Sequence, residues 1–182
     1  GRYVADLREG QAEPRELDPK LFASARDNNI DPIELVREAR RTPDLKSYLD
    51  EQIPPFVFYQ GLRNALAEYR ALEAQGGWEF IPEGETLKPG MTDPRVSLIR
   101  KRLAITGDFE SEDLKSTLYD DEVVAGIKHF QKRHGLADDG VLGKQSLAEM
   151  NVPVEKRIRQ IRINMERWRW ISRDTPSSVI AV

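Results

Sequence analysis

Two histidines, His129 and His134, are the only imidazoles in the chain, and they stand five residues apart. A zinc site needs three or four ligands, and the spacing supplies no third. Cysteine is absent, which excludes disulfides, thiolate metal sites and a cysteine nucleophile. Two well-placed carboxylates would suffice for glycoside hydrolysis. The chain has 31 acidic residues, but none sits in a recognisable motif, and most serve as caps or solvated surface. The polar groups best placed to bind something are Gln131, His134 and Asp139, beside the helix-ending pair Phe130-Gln131 and the turn Asp138-Asp139-Gly140. An amide, an imidazole and a carboxylate can bond sugar hydroxyls or peptide amides. The competing reading is structural: Phe130 fills a core, Gln131 bonds a neighbouring loop, and Gly140 supplies the positive φ that such turns need. Neither a metal nor a cofactor is expected.

The elements that must hold these residues are helices. Charged residues make up 32% of the 182, and 28 Lys+Arg against 31 Asp+Glu leave a net charge of −3, which argues against a generally basic nucleic-acid binder. The longest strongly apolar stretch, Ile53 to Tyr59, is far short of the ~20 residues of a membrane span. Gly1-Arg2-Tyr3 has neither an initiator Met nor the regions of a signal peptide, so the chain reads as a piece of something longer. Asp18-Pro19, Asp31-Pro32 and Thr42-Pro43 each offer an N-cap oxygen followed by a first-turn proline. Asp31 also has Glu34 at capping-box spacing. A long helix after Pro54-Pro55 carries Tyr59, Leu62, Leu66, Tyr69 and Leu72 at helical spacing until Gly76-Gly77 stops it.

The glycine- and proline-rich stretch 76–90 reads as a connector, pinned to a neighbour by Trp78, Phe80 and Ile81. A second helical block opens at Asp93-Pro94 and runs through Val96, Ile99 and Leu103. The next helix is capped by Asp120, carries Val123, Ile127 and Phe130, and closes at Gly135; a short helix follows around Ser146, Leu147 and Met150. The last helix, from near Pro153 to about Ile171, has Ile158, Ile161, Met165 and Trp168 on one face. An arginine stripe that includes Arg162 and Arg169 separates that face from Ile163 and Trp170. Two apolar flanks divided by charge predict a helix touching two bodies, with Arg162, Arg169, Trp168 and Trp170 as interdomain contacts. A nucleic-acid grip by the same arginines is the weaker reading of this local charge. Ser178 to Val182 looks like a β-strand cut off after it begins.

Asp121-Glu122-Val123-Val124, Ile127, Phe130-Gln131, Gly135-Leu136, Asp139-Gly140-Val141-Leu142-Gly143 and Leu147 resemble the peptidoglycan-binding domain family over roughly residues 86–151. Ser146 stands where that family usually has threonine, and both hydroxyls can bond locally. The flanks sharpen the likeness. Tyr3, Leu7, Gly10 and Pro14, then Pro54-Pro55 through Gly76-Gly77-Trp78 and Leu87-Lys88-Pro89-Gly90, are similar to the scaffold of L,D-transpeptidases of the YcbB type. Arg159 to Trp170 is similar to the segment leading into their catalytic domain.

That catalytic domain, YkuD, uses a histidine and a Ser/Thr-His-Gly-Cys motif whose cysteine attacks a peptide-stem carbonyl. This chain has no cysteine, and His134-Gly135 continues to Leu136, so it is expected to have no transpeptidase activity of its own. The resemblance implies an all-α fold: a helical scaffold at 1–85, a three-helix peptidoglycan-binding-like domain at 86–151, and at 152–182 a linker helix and the truncated strand of a missing catalytic domain. It further implies a periplasmic or cell-envelope location, and two partners: peptidoglycan, through glycan strands or peptide stems, and the catalytic domain in cis. A purely architectural spacer, or a module that docks a protein partner without peptidoglycan affinity, is the alternative.

Overall fold

Carboxylate caps start several of the helices. In a computed structural model, which describes residues 1–18, 20, 31–110 and 112–171, Asp31 Oδ1 accepts from the Ile33 N–H at 2.8 Å and opens α3, Pro32–Arg41. Glu34, at capping-box spacing, bonds Arg37 at 3.0 Å instead. The helix expected from Thr42-Pro43 begins later: α4, Leu45–Glu51, is capped by Asp44, whose Oδ1 accepts from the Lys46 N–H at 3.0 Å. Aspartate outcompetes threonine here because its two oxygens serve both that amide and the Ser47 hydroxyl. Two helices precede these, α1, Arg2–Glu9, and α2, Pro14–Leu17. Pro19, the residues expected to follow it as a helix, and the expected strand at 178–182 lie outside the described residues.

The long helix α5 is Val57–Ala74, followed by α6, Arg95–Ile105, α7, Asp121–Arg133, α8, Lys144–Met150, and α9, Val154–Arg169. Among the described residues there is no strand, only two isolated antiparallel bridges, Leu87 with Leu142 and Thr92 with Leu118. The fold is all-α, as its periodicity predicts. Both α5 and α7 close on glycine in the same way. Gly77 N–H reaches Leu72 C=O at 2.8 Å, and Leu136 N–H reaches Gln131 C=O at 2.9 Å, with Gly76 and Gly135 at positive φ.

The chain divides into two compact units: Gly1–Ala71 together with the chain from Ile158 on, and Leu72–Arg157. In the first, Val4, Leu35 and Tyr48 bury one cluster, and Ile53, Phe56, Tyr59 and Met165 bury another, with Ile161 and Trp168 packed against it. The face predicted for the last helix is therefore the buried one. Glu166, on the same helix, has a role that no periodicity announces. Its Oε1 accepts from the N–H groups of Gln11 at 2.6 Å and Ala12 at 2.9 Å, its Oε2 from Arg169 at 3.0 Å, and Trp170 Nε1 stands 3.4 Å away. Gly10 has φ of 87°, and a Cβ there would collide with this carboxylate.

In the second unit, α6, α7 and α8 enclose Val96, Ile99, Leu103, Val123, Ile127, Phe130, Leu147 and Met150. Ile81 and Leu87, in the stretch before α6, are fully buried in the same core. Ile81 is fastened by Asn151, which accepts from its N–H at 2.9 Å and donates to its C=O at 2.8 Å. Trp78 lies against Arg102, whose guanidinium carbon is 3.7 Å from the ring centroid. Phe80 differs from expectation: it is 64% exposed and pins nothing.

Replacing Glu166 with Ala removes the acceptor of two main-chain amides and the counterion of Arg169. The expected loss is about 1–3 kcal/mol of stability in the first unit, read by urea unfolding together with faster amide exchange at Gln11 and Ala12. Glu166→Gln, which keeps an acceptor oxygen, should lose less.

Candidate functional site

Gln131 lies on the last turn of α7 and is 2% exposed. Its Oε1 accepts from the Gly140 N–H at 2.9 Å, which fixes the orientation of the amide. Its Nε2 then faces three acceptors: Asp139 Oδ1 at 3.0 Å, Val141 C=O at 3.0 Å and Ser146 Oγ at 3.1 Å. Both ends of the side chain are spent on the loop between α7 and α8 and on the first turn of α8, as the structural reading of Phe130-Gln131 anticipates. Phe130 itself is fully buried.

Asp139 is exposed and completes the turn by accepting from the Val141 N–H at 2.9 Å. These backbone and Gln131 hydrogen bonds hold its carboxyl below the usual range. Gly140, at φ of 75°, has no room for a Cβ, which would meet Val124 Cγ1 and the Lys128 stem. Its C=O accepts from the Tyr119 hydroxyl at 2.8 Å. Tyr119 is fully buried, and no motif in the sequence singles it out. Its signal is position: an aromatic residue immediately before the Asp120 cap, where a hydrophobic residue often packs back onto the helix.

His134 caps the C-terminal end of α7, its ring 4.2 Å from that of Phe130. Glu149 Oε1 lies 3.0 Å from its Nδ1 and also binds Arg157 Nη1 at 2.8 Å. Burial pushes the imidazole pKa down to about 4, helped by the charges of Arg157 and Arg133 and opposed by Glu149 and Asp108. At neutral pH the ring is therefore uncharged, and Nδ1–H donates to Glu149. Nε2 is buried and has no partner among the described residues.

The structure thus brings Gln131 and Asp139 into direct contact and places His134 a turn away in a separate network with Glu149. His129 is likewise a structural ligand. Its Nδ1 lies 2.7 Å from Asp108 Oδ1, and Asp108 also accepts from Arg133 at 2.5 and 3.1 Å and from Thr106 at 2.6 Å. Burial of Asp108 opposes ionisation, but the bonds from Arg133 and Thr106 outweigh it and keep the carboxyl below its ordinary range. No group of three or more His, Cys, Asp or Glu among the described residues is arranged to hold a metal ion.

Of the residues expected between domains, Arg162 is exposed. Trp168 packs against Phe56 and Phe58, at centroid distances of 5.4 and 5.7 Å. Arg169 and Trp170 turn to Glu166. These contacts lie within the first unit. Two buried arginines carry no signal in the sequence pattern beyond their register. Arg100, 1% exposed, donates to the Asp113 and Leu118 carbonyls and pairs with Asp120; Arg102, 2% exposed, donates to the Met150 carbonyl at 3.0 Å. Arg100 stands four residues after Val96, and Arg102 three after Ile99, so both fall beside the apolar face of α6.

Comparison with known families supplies two matches. Residues 1–66 match the family described as Scaffold domain, and residues 92–150 match the family described as Putative peptidoglycan binding domain. No curated protein matches the chain. The description of the second family suggests an association with the cell wall or envelope. No helix among the described residues is long and apolar enough to cross a membrane.

Two substitutions test this assignment of roles. Gln131→Ala strands the buried Gly140 N–H and is expected to cost about 2–4 kcal/mol in the second unit, with faster amide exchange at Gly140; an unchanged unfolding midpoint would mean that the amide does not support the loop. His134 makes a separate prediction. Its folded pKa of about 4 lies below the unfolded value of about 6.5, so the folded state binds fewer protons between them. Its contribution is complete above about pH 6.5 and lost as the pH falls toward 4. Melting temperature followed from pH 7 to 4 should fall, and His134→Gln should flatten that fall.

Proposed function

We propose that this chain is the scaffold and wall-binding part of an L,D-transpeptidase of the YcbB type, and that it positions a YkuD catalytic domain on peptidoglycan. The observation that carries this reading is the order of the two family matches, scaffold before peptidoglycan-binding domain. The likeness of Arg159 to Trp170 to the segment that enters the catalytic domain supports it. In functional terms, residues 1–85 act as scaffold, 86–151 as the wall-binding module, and 152–182 as the connection to the enzyme. On that connection the exposed Arg162 would meet the catalytic domain, while Trp168, Arg169 and Trp170, engaged within the first unit, would set the direction in which the chain leaves it. The intact protein would exchange the terminal D-alanine of a tetrapeptide stem for the amine of another stem, in the periplasm. This chain contributes no nucleophile to that exchange, having no cysteine.

Peptidoglycan would be met at the exposed edge of the turn, where the ionised Asp139 can accept from sugar hydroxyls or stem amides, while His134, with Nδ1 on Glu149 and Nε2 buried, would contribute only through the fold. Gln131 acts from behind by fixing the turn. That same inward commitment favours the second reading, in which the domain keeps its fold and serves only as a spacer.

Co-sedimentation with purified sacculi over a salt series separates the two. Saturable binding that survives moderate salt and is absent from a denatured sample is the expected result. Asp139→Asn keeps the Oδ1 acceptor used by Gln131 and Val141 while removing the charge, and should weaken binding at unchanged melting temperature. Absence of binding by the folded chain would leave the spacer.

A further inference from the structure

A cavity of about 460 Å³ lies in the first unit, within the size range of small-molecule sites. Neither the wall-binding turn nor the connection to an enzyme accounts for it. Its wall is aliphatic, built by Leu7 of α1, Leu45 and Leu49 of α4, Ile53, and Met165 of α9. Its polar lining is dominated by cations. Lys46 is matched by Asp50 at 3.5 Å, but Arg63 and Arg169 also line the space. Arg63 bonds only the neutral side chain of Gln60, at 3.2 Å, and no carboxylate pairs with it among the described residues.

Arg169 does pair with Glu166, but that carboxylate also serves two main-chain amides. The Arg169 Nε is buried with no acceptor among the described residues, so a ligand in the space would be met by the other guanidinium nitrogens. Tyr59 lines the same space. Arg169 lies 5.6 Å from its ring centroid, and Arg63 follows it by one helical turn on α5. Burial keeps the phenol protonated, with both arginines partly offsetting that effect, so its O–H is available as a donor.

We propose that this cavity binds a single-chain amphiphile with a carboxylate head, of the fatty-acid class, with its chain along the aliphatic wall and its head at Arg63, Arg169 and Tyr59. A planar carboxylate suits guanidinium donors, which can engage both oxygens. A free inorganic anion would leave the aliphatic wall unused. A peptide would bring amides that need partners, and no Asn, Gln, Ser or Thr side chain lines the space.

The test is equilibrium dialysis of the whole chain against sodium decanoate below its micelle-forming concentration, with 1-decanol and acetate as comparisons. Decanoate should bind saturably, one molecule per chain, about tenfold more tightly than the alcohol, and acetate should not bind. Arg63→Gln, at an exposed helical position, should bring decanoate down to the level of decanol. Leu45→Asp places a carboxylate in the first turn of α4, where it suits the helix end, and should abolish decanoate binding in a protein whose circular dichroism is unchanged. No saturable binding of decanoate, equal binding of the alcohol, or wild-type affinity in both folded variants would overturn the proposal.

Discussion

The carboxylate of Glu166 is the constraint from which the first unit is assembled. It sits on a helix more than 150 residues along the chain from the Gln11 and Ala12 amides that it binds. Two backbone N–H groups, a guanidinium and an indole converge on its two oxygens. A half-buried anion is tolerable only when its lone pairs are occupied in this way. The glycine before those amides is part of the same device, since any side chain at Gly10 would occupy the space of the carboxylate. The residues matching the scaffold family, 1–66, are therefore completed by a helix from far outside the match. The Ile53, Phe56 and Tyr59 cluster needs Met165 for the same reason.

The second unit solves its polar problem differently, by burying cations and amides among carbonyls. Arg100 takes the Asp113 and Leu118 carbonyls and shares Asp120 with the start of α7, so one aspartate serves as helix cap and counterion together. Arg102 donates to the last residue of α8 and lies against Trp78 of the connector. Each arginine bonds residues that no helix–helix packing alone would fix. The loop between α7 and α8 is held by a neutral group instead, the Gln131 amide, which offers a donor and an acceptor at one point and carries no charge to desolvate.

Local signals in the sequence disclose the helices well because they rest on chemistry confined to a few residues. Asp31, Asp93 and Asp120 cap as their types and positions foretell, with Asp93 Oδ1 accepting from the Arg95 N–H at 2.8 Å, and Gly135 closes α7 at φ of 66°. Where two caps compete within three residues, as with Thr42 and Asp44, the choice depends on which amides the side chain can reach, and pattern alone misplaces it. The role of Glu166 is illegible for a different reason. It belongs to a charged stripe, and nothing in its neighbourhood records that its partners are main-chain amides near residue 11. Phe80 carries the same apolar signal as Ile81, yet only Ile81 has Asn151 to draw its backbone in.

The candidate site shows how a family motif can mark architecture more strongly than binding. Phe130-Gln131 and Asp139-Gly140 are the residues by which the small domain resembles its family, and each is accounted for by an internal need. Phe130 fills the core, Gln131 clasps the turn, Asp139 completes it, and Gly140 fits where no Cβ can. A motif kept by such needs would persist whether or not the surface beside it held a ligand. The information about a ligand must then lie in exposed groups beside the motif, and of Phe130, Gln131, Asp139 and Gly140 only Asp139 is exposed. Its Oδ1 is bound into the turn while the residue itself faces solvent. The interior of the turn answers the demand of staying folded, and only its rim is left to serve a ligand.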